Sequence, residues 1–185
     1  MEQAEIQEHG AYDPHTWVSP HEAHQQAEAI YKALIRKDPS HTDYYTTHWT
    51  TLSTKLNTLD ATYQTKLSNK TRDTIFVTHD AFGYIARRYE FQQESIVGIS
   101  ADAQPSTETL VQIINQMQQK DTYTFYIEPG YTDIYVQTVK TELQAKTGKT
   151  IQILELYHMN GPQDGLDYLG QMEKNLESLR EGLGS

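Results

Sequence analysis

Between Ser40 and Ser68, the side chains of Tyr45, Trp49, Leu52, Leu56, Leu59, Tyr63 and Leu67 follow one another at steps of three or four residues. That spacing makes one continuous apolar stripe on one α-helix. At 1.5 Å per residue the segment runs roughly 40 Å. So long a helix with so narrow a stripe lies across other structure, along the side of a lobe or between two lobes. A coiled-coil dimer is the alternative, although the stripe is short for one.

The pattern changes after Ser68. Ile75-Phe76-Val77 reads as a short buried strand, with a helix from about Asp80 to Tyr89 behind it. Ser95 to Ser100, Tyr123 to Glu128 and Ile151 to Leu156 read as further strands. The helices Thr107 to Lys120, Thr132 to Thr147 and Gly165 to Leu183 stand between and after them. Gly148 supplies a C-terminal stop for the second of these. Strands alternating with helices predict an α/β fold, here a four-stranded, mainly parallel sheet flanked by helices and preceded by the long linker helix.

Upstream, Ser19-Pro20-His21-Glu22 reads as a helix start with Ser19 as N-cap, Pro20 in the first helical position and Glu22 completing a capping box. Ala23, Ala27, Ile30, Tyr31 and Leu34 give that helix its apolar positions, and Asp38-Pro39 ends it. Residues 1–12 read as a polar lead-in without the character of a signal peptide. The net charge of −10 argues against nucleic acid as a partner, since phosphate backbones are bound through basic surface. With no cysteine in the chain, a disulfide framework, a thiolate metal site and a thiol nucleophile are all excluded.

The histidines carry the chemistry that the sequence offers. His79 follows a strand directly, and ligand groups of open parallel sheets sit at the carboxyl ends of strands. Glu128 ends the third strand, and Glu155 and His158 mark the end of the fourth, so one sheet edge gathers imidazoles and carboxylates, a set suited to zinc, manganese or iron. Position alone leaves each of them equally readable as a solvated loop residue. His15, in the turn Asp13-Pro14-His15-Thr16-Trp17, reads on its own as a surface turn residue, and His21 with His24 reads as two exposed polar positions. No phosphate loop, nucleophile elbow or paired-histidine protease motif is present.

Three segments together resemble one family. Asp13-Pro14-His15-Thr16-Trp17-Val18-Ser19-Pro20, Thr78-His79-Asp80-Ala81-Phe82-Gly83-Tyr84 and Gly98-Ile99-Ser100-Ala101-Asp102-Ala103-Gln104-Pro105-Ser106 are similar, in order and spacing, to signatures of the metal-specific solute-binding proteins of bacterial ABC importers, of the ZnuA, AdcA and TroA type. The resemblance implies two α/β lobes joined by one long helix with the metal held between them. It implies His15 and His79 as metal ligands. A further ligand follows the last strand, where His158 stands nearest and Glu155 next, and Glu128 is structural. It implies Zn2+ as cargo, with Mn2+ as the alternative, and an ABC transporter permease in the membrane as partner.

On the same resemblance, residues 1–38 are the remnant of a first lobe with its ligand turn and helix, 39–70 are the inter-lobe helix, and 71–185 are the C-terminal α/β lobe. The family carries a whole first lobe with another histidine ligand before the Asp-Pro-His turn. Here only residues 1–12 precede it, so the expectation is a truncated receptor that binds zinc with micromolar or poorer affinity, with His9 at the end of a metal-gathering loop. The expected location is extracellular, as a membrane-anchored lipoprotein or a periplasmic protein whose targeting segment is absent from this sequence. No enzymatic activity is expected. The rival readings are a manganese or iron receptor, a metal-dependent hydrolase using the same histidines, a surface adhesin, and a metal-free structural or regulatory fragment. An exposed lobe surface would be the route to any oligomer.

Overall fold

The computed structural model describes residues 7–8, 11–99, 104–130 and 134–185. His9, the stretch 100–103 of the third signature and the predicted helix start at Thr132 lie outside them. Among the described residues, two short strands, β1 (Gln7–Glu8) and β2 (Ala11–Tyr12), pair antiparallel. A 3-10 turn (Thr16–Val18) leads into α1 (Pro20–Lys37), and a second one (Pro39–His41) leads into α2 (Thr42–Lys66). There follow β3 (Thr74–His79), α3 (Gly83–Arg88), β4 (Gln92–Val97), α4 (Thr107–Gln119), β5 (Thr124–Ile127), α5 (Ile134–Thr147), β6 (Gln152–Glu155) and α6 (Tyr168–Leu183). Strands β3 to β6 form a wholly parallel sheet in the order β4-β3-β5-β6.

Each face of the sheet owns a core, because side chains alternate along a strand. Ile75 and Val77 of β3, Tyr126 of β5 and Leu154 of β6 pack on one side with Leu59, Tyr63 and Leu67, with Ile85 of α3, and with Met172, Leu176 and Leu179 of α6. Phe76, Phe125 and Ile153 pack on the other side with Ile113, Ile114 and Met117 of α4 and Val136, Val139 and Leu143 of α5. Gly182 lets α6 approach β5, since a Cβ there would collide with the Tyr126 hydroxyl. Gly148 takes the left-handed conformation that ends α5 (φ 71°), and its N–H bonds to the Gln144 carbonyl.

The long stripe is used in two halves. Leu56, Leu59, Tyr63 and Leu67 are buried against the α/β unit, whereas Leu52 is 38% exposed. The upper half faces α1 instead. Trp49 stacks on Tyr31 at 5.5 Å between ring centroids and lies 5.0 Å from the His24 ring, whose Nε2 is 2.8 Å from Ser53 Oγ. His24 is thus built into the α1–α2 contact. Helices α2 and α3 are joined by a bidentate pair, Arg88 to Asp60 at 3.0 and 2.6 Å, with the Tyr89 hydroxyl donating to the same carboxylate at 2.9 Å.

Helix α1 begins where the sequence predicts, but its cap differs. The Ser19 hydroxyl and Glu22 Oε2 are buried without a hydrogen-bond partner among the described residues. A capping box needs the Ser19 N–H for the glutamate, and that N–H is already bound to the Thr16 carbonyl by the preceding turn. Among the described residues no helix is long and apolar enough to cross a membrane.

Candidate metal centre

The parallel sheet delivers the ends of β3, β5 and β6 to one edge, and the Asp13–Ser19 turn folds onto that edge. The turn is shaped locally. Asp13 Oδ1 accepts from the His15 backbone N–H at 2.9 Å and lies 2.8 Å from His15 Nδ1. Three long-range bonds then fasten it. The Trp17 indole donates to the His158 carbonyl at 2.8 Å, the Tyr168 hydroxyl to the Trp17 carbonyl at 2.9 Å, and the Tyr84 hydroxyl to the Asp13 carbonyl at 3.2 Å. Val18 is fully buried in the core beneath.

His79 closes β3 on the same face as Ile75 and Val77. Its Nδ1 lies 2.5 Å from Glu128 Oε2, and the other Glu128 oxygen accepts from the Thr78 hydroxyl at 2.7 Å. The segment carrying His79 into α3 is pinned as well. Gln93 donates to Asp80 and accepts from the Phe82 N–H, and the Asp80 N–H bonds to the Gly98 carbonyl. These contacts hold residues 80–82 out of helical geometry, which is why α3 starts at Gly83 rather than at Asp80.

His158 sits three residues past β6. Buried Asn175 of α6 accepts from the Tyr157 N–H at 2.7 Å and donates to the Tyr157 carbonyl at 2.6 Å, fixing the backbone immediately before it. Burial holds the His158 pKa below the usual histidine range, with the neighbouring His79 and His15 adding to that and Glu128 opposing it.

These placements bring His15, His79 and His158 together. The His79 ring centroid lies 5.3 Å from that of His15 and 5.4 Å from that of His158, and all three residues are buried. Imidazoles bound tetrahedrally to zinc through nitrogen at 2.0–2.1 Å have centroids about 5 Å apart, so the spacing fits such a donor set. Among the described residues, no group of three or more histidine, aspartate and glutamate side chains already has the arrangement of a formed metal site.

Glu155 is not brought to the histidines. It pairs in register with Ile127 and stands two residues along β6 from Ile153, so it lies on the α4–α5 face, exposed, while His79 lies on the opposite face. Reasoning from the sequence missed Asp13, Trp17 and Asn175 as parts of the centre. Asp two residues before His in an Asp-Pro-His turn is an available signal for the first. A contact such as Trp17 to His158 has no local signature.

Comparison with known proteins agrees with this architecture. Residues 1–182 match the family described as ZnuA, zinc-uptake complex component A, periplasmic. The chain is 30% identical over 173 residues to the high-affinity zinc uptake system protein ZnuA of Bacillus subtilis, covering 94% of this chain and 54% of that protein. It thus spans about half the length of that relative. The laminin-binding protein Lmb of Streptococcus agalactiae, described as bifunctional with adhesin and metal-transporting activity, superposes with a TM-score of 0.87 at 27% identity, over 97% of this chain and 68% of that one. A zinc-bound variant of the AdcAII protein of Streptococcus pneumoniae superposes at 0.81 with 29% identity, over 94% of this chain and 62% of that one. The α/β fold, the signature turns and the family match over nearly the whole chain lead to one conclusion: this chain belongs to the ZnuA family of metal-binding solute receptors.

Proposed function

We propose that this chain forms the zinc-capturing part of a solute-binding receptor for an ABC metal importer, with His15, His79 and His158 as ligands. The observation that carries the reading is the buried run of three imidazole rings at 5.3 and 5.4 Å. The backbone supplies the proximity. A third imidazole in place of a carboxylate favours zinc over manganese, because oxygen donors suit manganese. Glu155, on the other face, is left out of the ligand set.

The metal is cargo in this reading, and no reaction is performed on it. The division at residues 38 and 70 follows the same logic. Residues 1–38 bring one ligand turn, 39–70 form the connecting helix, and 71–185 carry the other ligands. The partner is a membrane permease, and the location is outside the cytoplasmic membrane. Similarity to the streptococcal laminin-binding protein favours matrix adhesion as a second reading. Binding of immobilised laminin with and without zinc separates the two.

Competition for zinc against a chromophoric chelator tests the main reading. It predicts one-to-one binding near neutral pH that weakens towards about pH 5, as protons compete for imidazole nitrogen. The same zinc uptake in wild type and in His79→Ala would sink it.

A further inference from the structure

Two buried carboxylates stand behind the histidines in the same relation. Asp13 Oδ1 is 2.8 Å from Nδ1 of His15, and Glu128 Oε2 is 2.5 Å from Nδ1 of His79. The two carboxylate side chains are 4% and 1% exposed. A carboxylate accepts hydrogen bonds and does not donate them, so the proton of each contact belongs to the imidazole Nδ1. A neutral ring with its proton on Nδ1 has its lone pair on Nε2.

We propose that Asp13 and Glu128 are positioning residues that lock His15 and His79 in the Nδ1–H tautomer and aim both Nε2 lone pairs at one cation. The inference rests on the metal-receptor reading for its purpose, but the tautomer lock stands on geometry alone. Each carboxylate is itself held. Glu128 takes a second bond from the Thr78 hydroxyl, so strand β3 supplies both the ligand ring and the group that orients its orienter. Asp13 Oδ1 also takes the His15 N–H, which fixes the carboxylate relative to the ring's own backbone.

One atom is left over. Asp13 Oδ2 is buried and has no hydrogen-bond partner among the described residues. A buried carboxylate oxygen without a donor is costly. In this position it adds negative charge behind the imidazoles, which a captured divalent cation would offset. The two signatures then each encode a ligand together with its orientation. The first holds Asp13 and His15 in one turn. The second places Thr78 and His79 side by side and borrows Glu128, the residue just past the neighbouring strand β5.

The test reads tautomers directly, by long-range proton–nitrogen correlation NMR on the metal-free chain, and then reads zinc affinity by chelator competition. The variants are Asp13→Asn, Glu128→Gln and Thr78→Val, with His79→Ala as reference. Thr78→Val loosens Glu128 while leaving every carboxylate and imidazole in place, and thermal unfolding checks that each variant folds. The wild type is expected to show His15 and His79 as Nδ1–H. Asp13→Asn and Glu128→Gln each keep an amide oxygen that can accept from Nδ1–H but lose the negative charge, so the Nδ1–H preference is expected to weaken at their own histidine only and zinc binding to fall roughly 10–100-fold, with Thr78→Val weakening it less. An Nε2–H tautomer at either histidine in the wild type overturns the proposal. So does unchanged zinc affinity in Asp13→Asn and Glu128→Gln while His79→Ala is weakened. Unchanged affinity in His79→Ala itself counts against the metal site and removes the purpose assigned to the lock.

Discussion

The indole N–H of Trp17 donates to the main-chain carbonyl of His158 at 2.8 Å across a sequence separation of 141 residues. One bond thereby ties the turn that carries the first histidine to the loop that carries the last. Replacing Trp17 by Phe keeps a ring and removes the donor, leaving a partly buried carbonyl short of its partner. The expected cost is about 1–3 kcal/mol in urea unfolding, with a loss of zinc affinity beyond it, because His15 and His158 are no longer held in common register. An affinity loss no greater than that of an exposed control substitution would contradict the coupling.

Asn175 answers both backbone groups of Tyr157 from a fully buried position on α6. Asn175→Ala strands a buried N–H and a buried carbonyl together, and the expected destabilisation is on the order of 2–5 kcal/mol. Asn175→Asp keeps the acceptor but sets a buried carboxylate against the Tyr157 carbonyl, so its loss in chemical denaturation at neutral pH should be at least that of alanine. Equal stability of all three would show that Tyr157 finds other partners.

Asp60 gives the fold an acid-sensitive joint. Burial pushes its pKa up, but the Arg88 guanidinium and the Tyr89 hydroxyl outweigh burial and hold it below the usual carboxylate range. A depressed folded-state pKa adds stability that is fully present above the unfolded value of about 4 and drains away as pH falls through the folded value. Asp60→Asn should therefore be less stable than wild type by about 1–3 kcal/mol near neutral pH, and the gap should narrow below about pH 4. A gap that widens on acidification would reverse the assigned sign.

Much of the fold is legible in the sequence because its signals are local. The strand–helix alternation after Ser68 needs only periodicity, and Gly148 marks a helix end by its backbone freedom. The stripe from Tyr45 to Leu67 predicts one long helix, yet not that its upper half packs on α1 through Trp49 and Tyr31, since periodicity names a face without naming its neighbour. The capping box at Ser19 fails for a reason outside its own four residues, the 3-10 turn that uses the Ser19 N–H. At the centre, strand position points to His79, Glu128 and His158, while family resemblance is needed to lift His15 above a turn residue. Glu155 is misleading from sequence alone, because a strand's two faces alternate residue by residue and the last residues of β6 include both. Asn175 and Trp17 act through contacts that only the folded chain makes.

Three imidazoles, rather than two and a carboxylate, form the donor set in the proposed receptor. Zinc titration of His15→Ala, His79→Ala, His158→Ala and Glu155→Gln under one chelator competition decides between the two sets. Each histidine variant is expected to weaken binding on the order of tenfold or more, while Glu155→Gln binds as wild type does. Wild-type affinity in His158→Ala together with a large loss in Glu155→Gln would contradict the three-imidazole set.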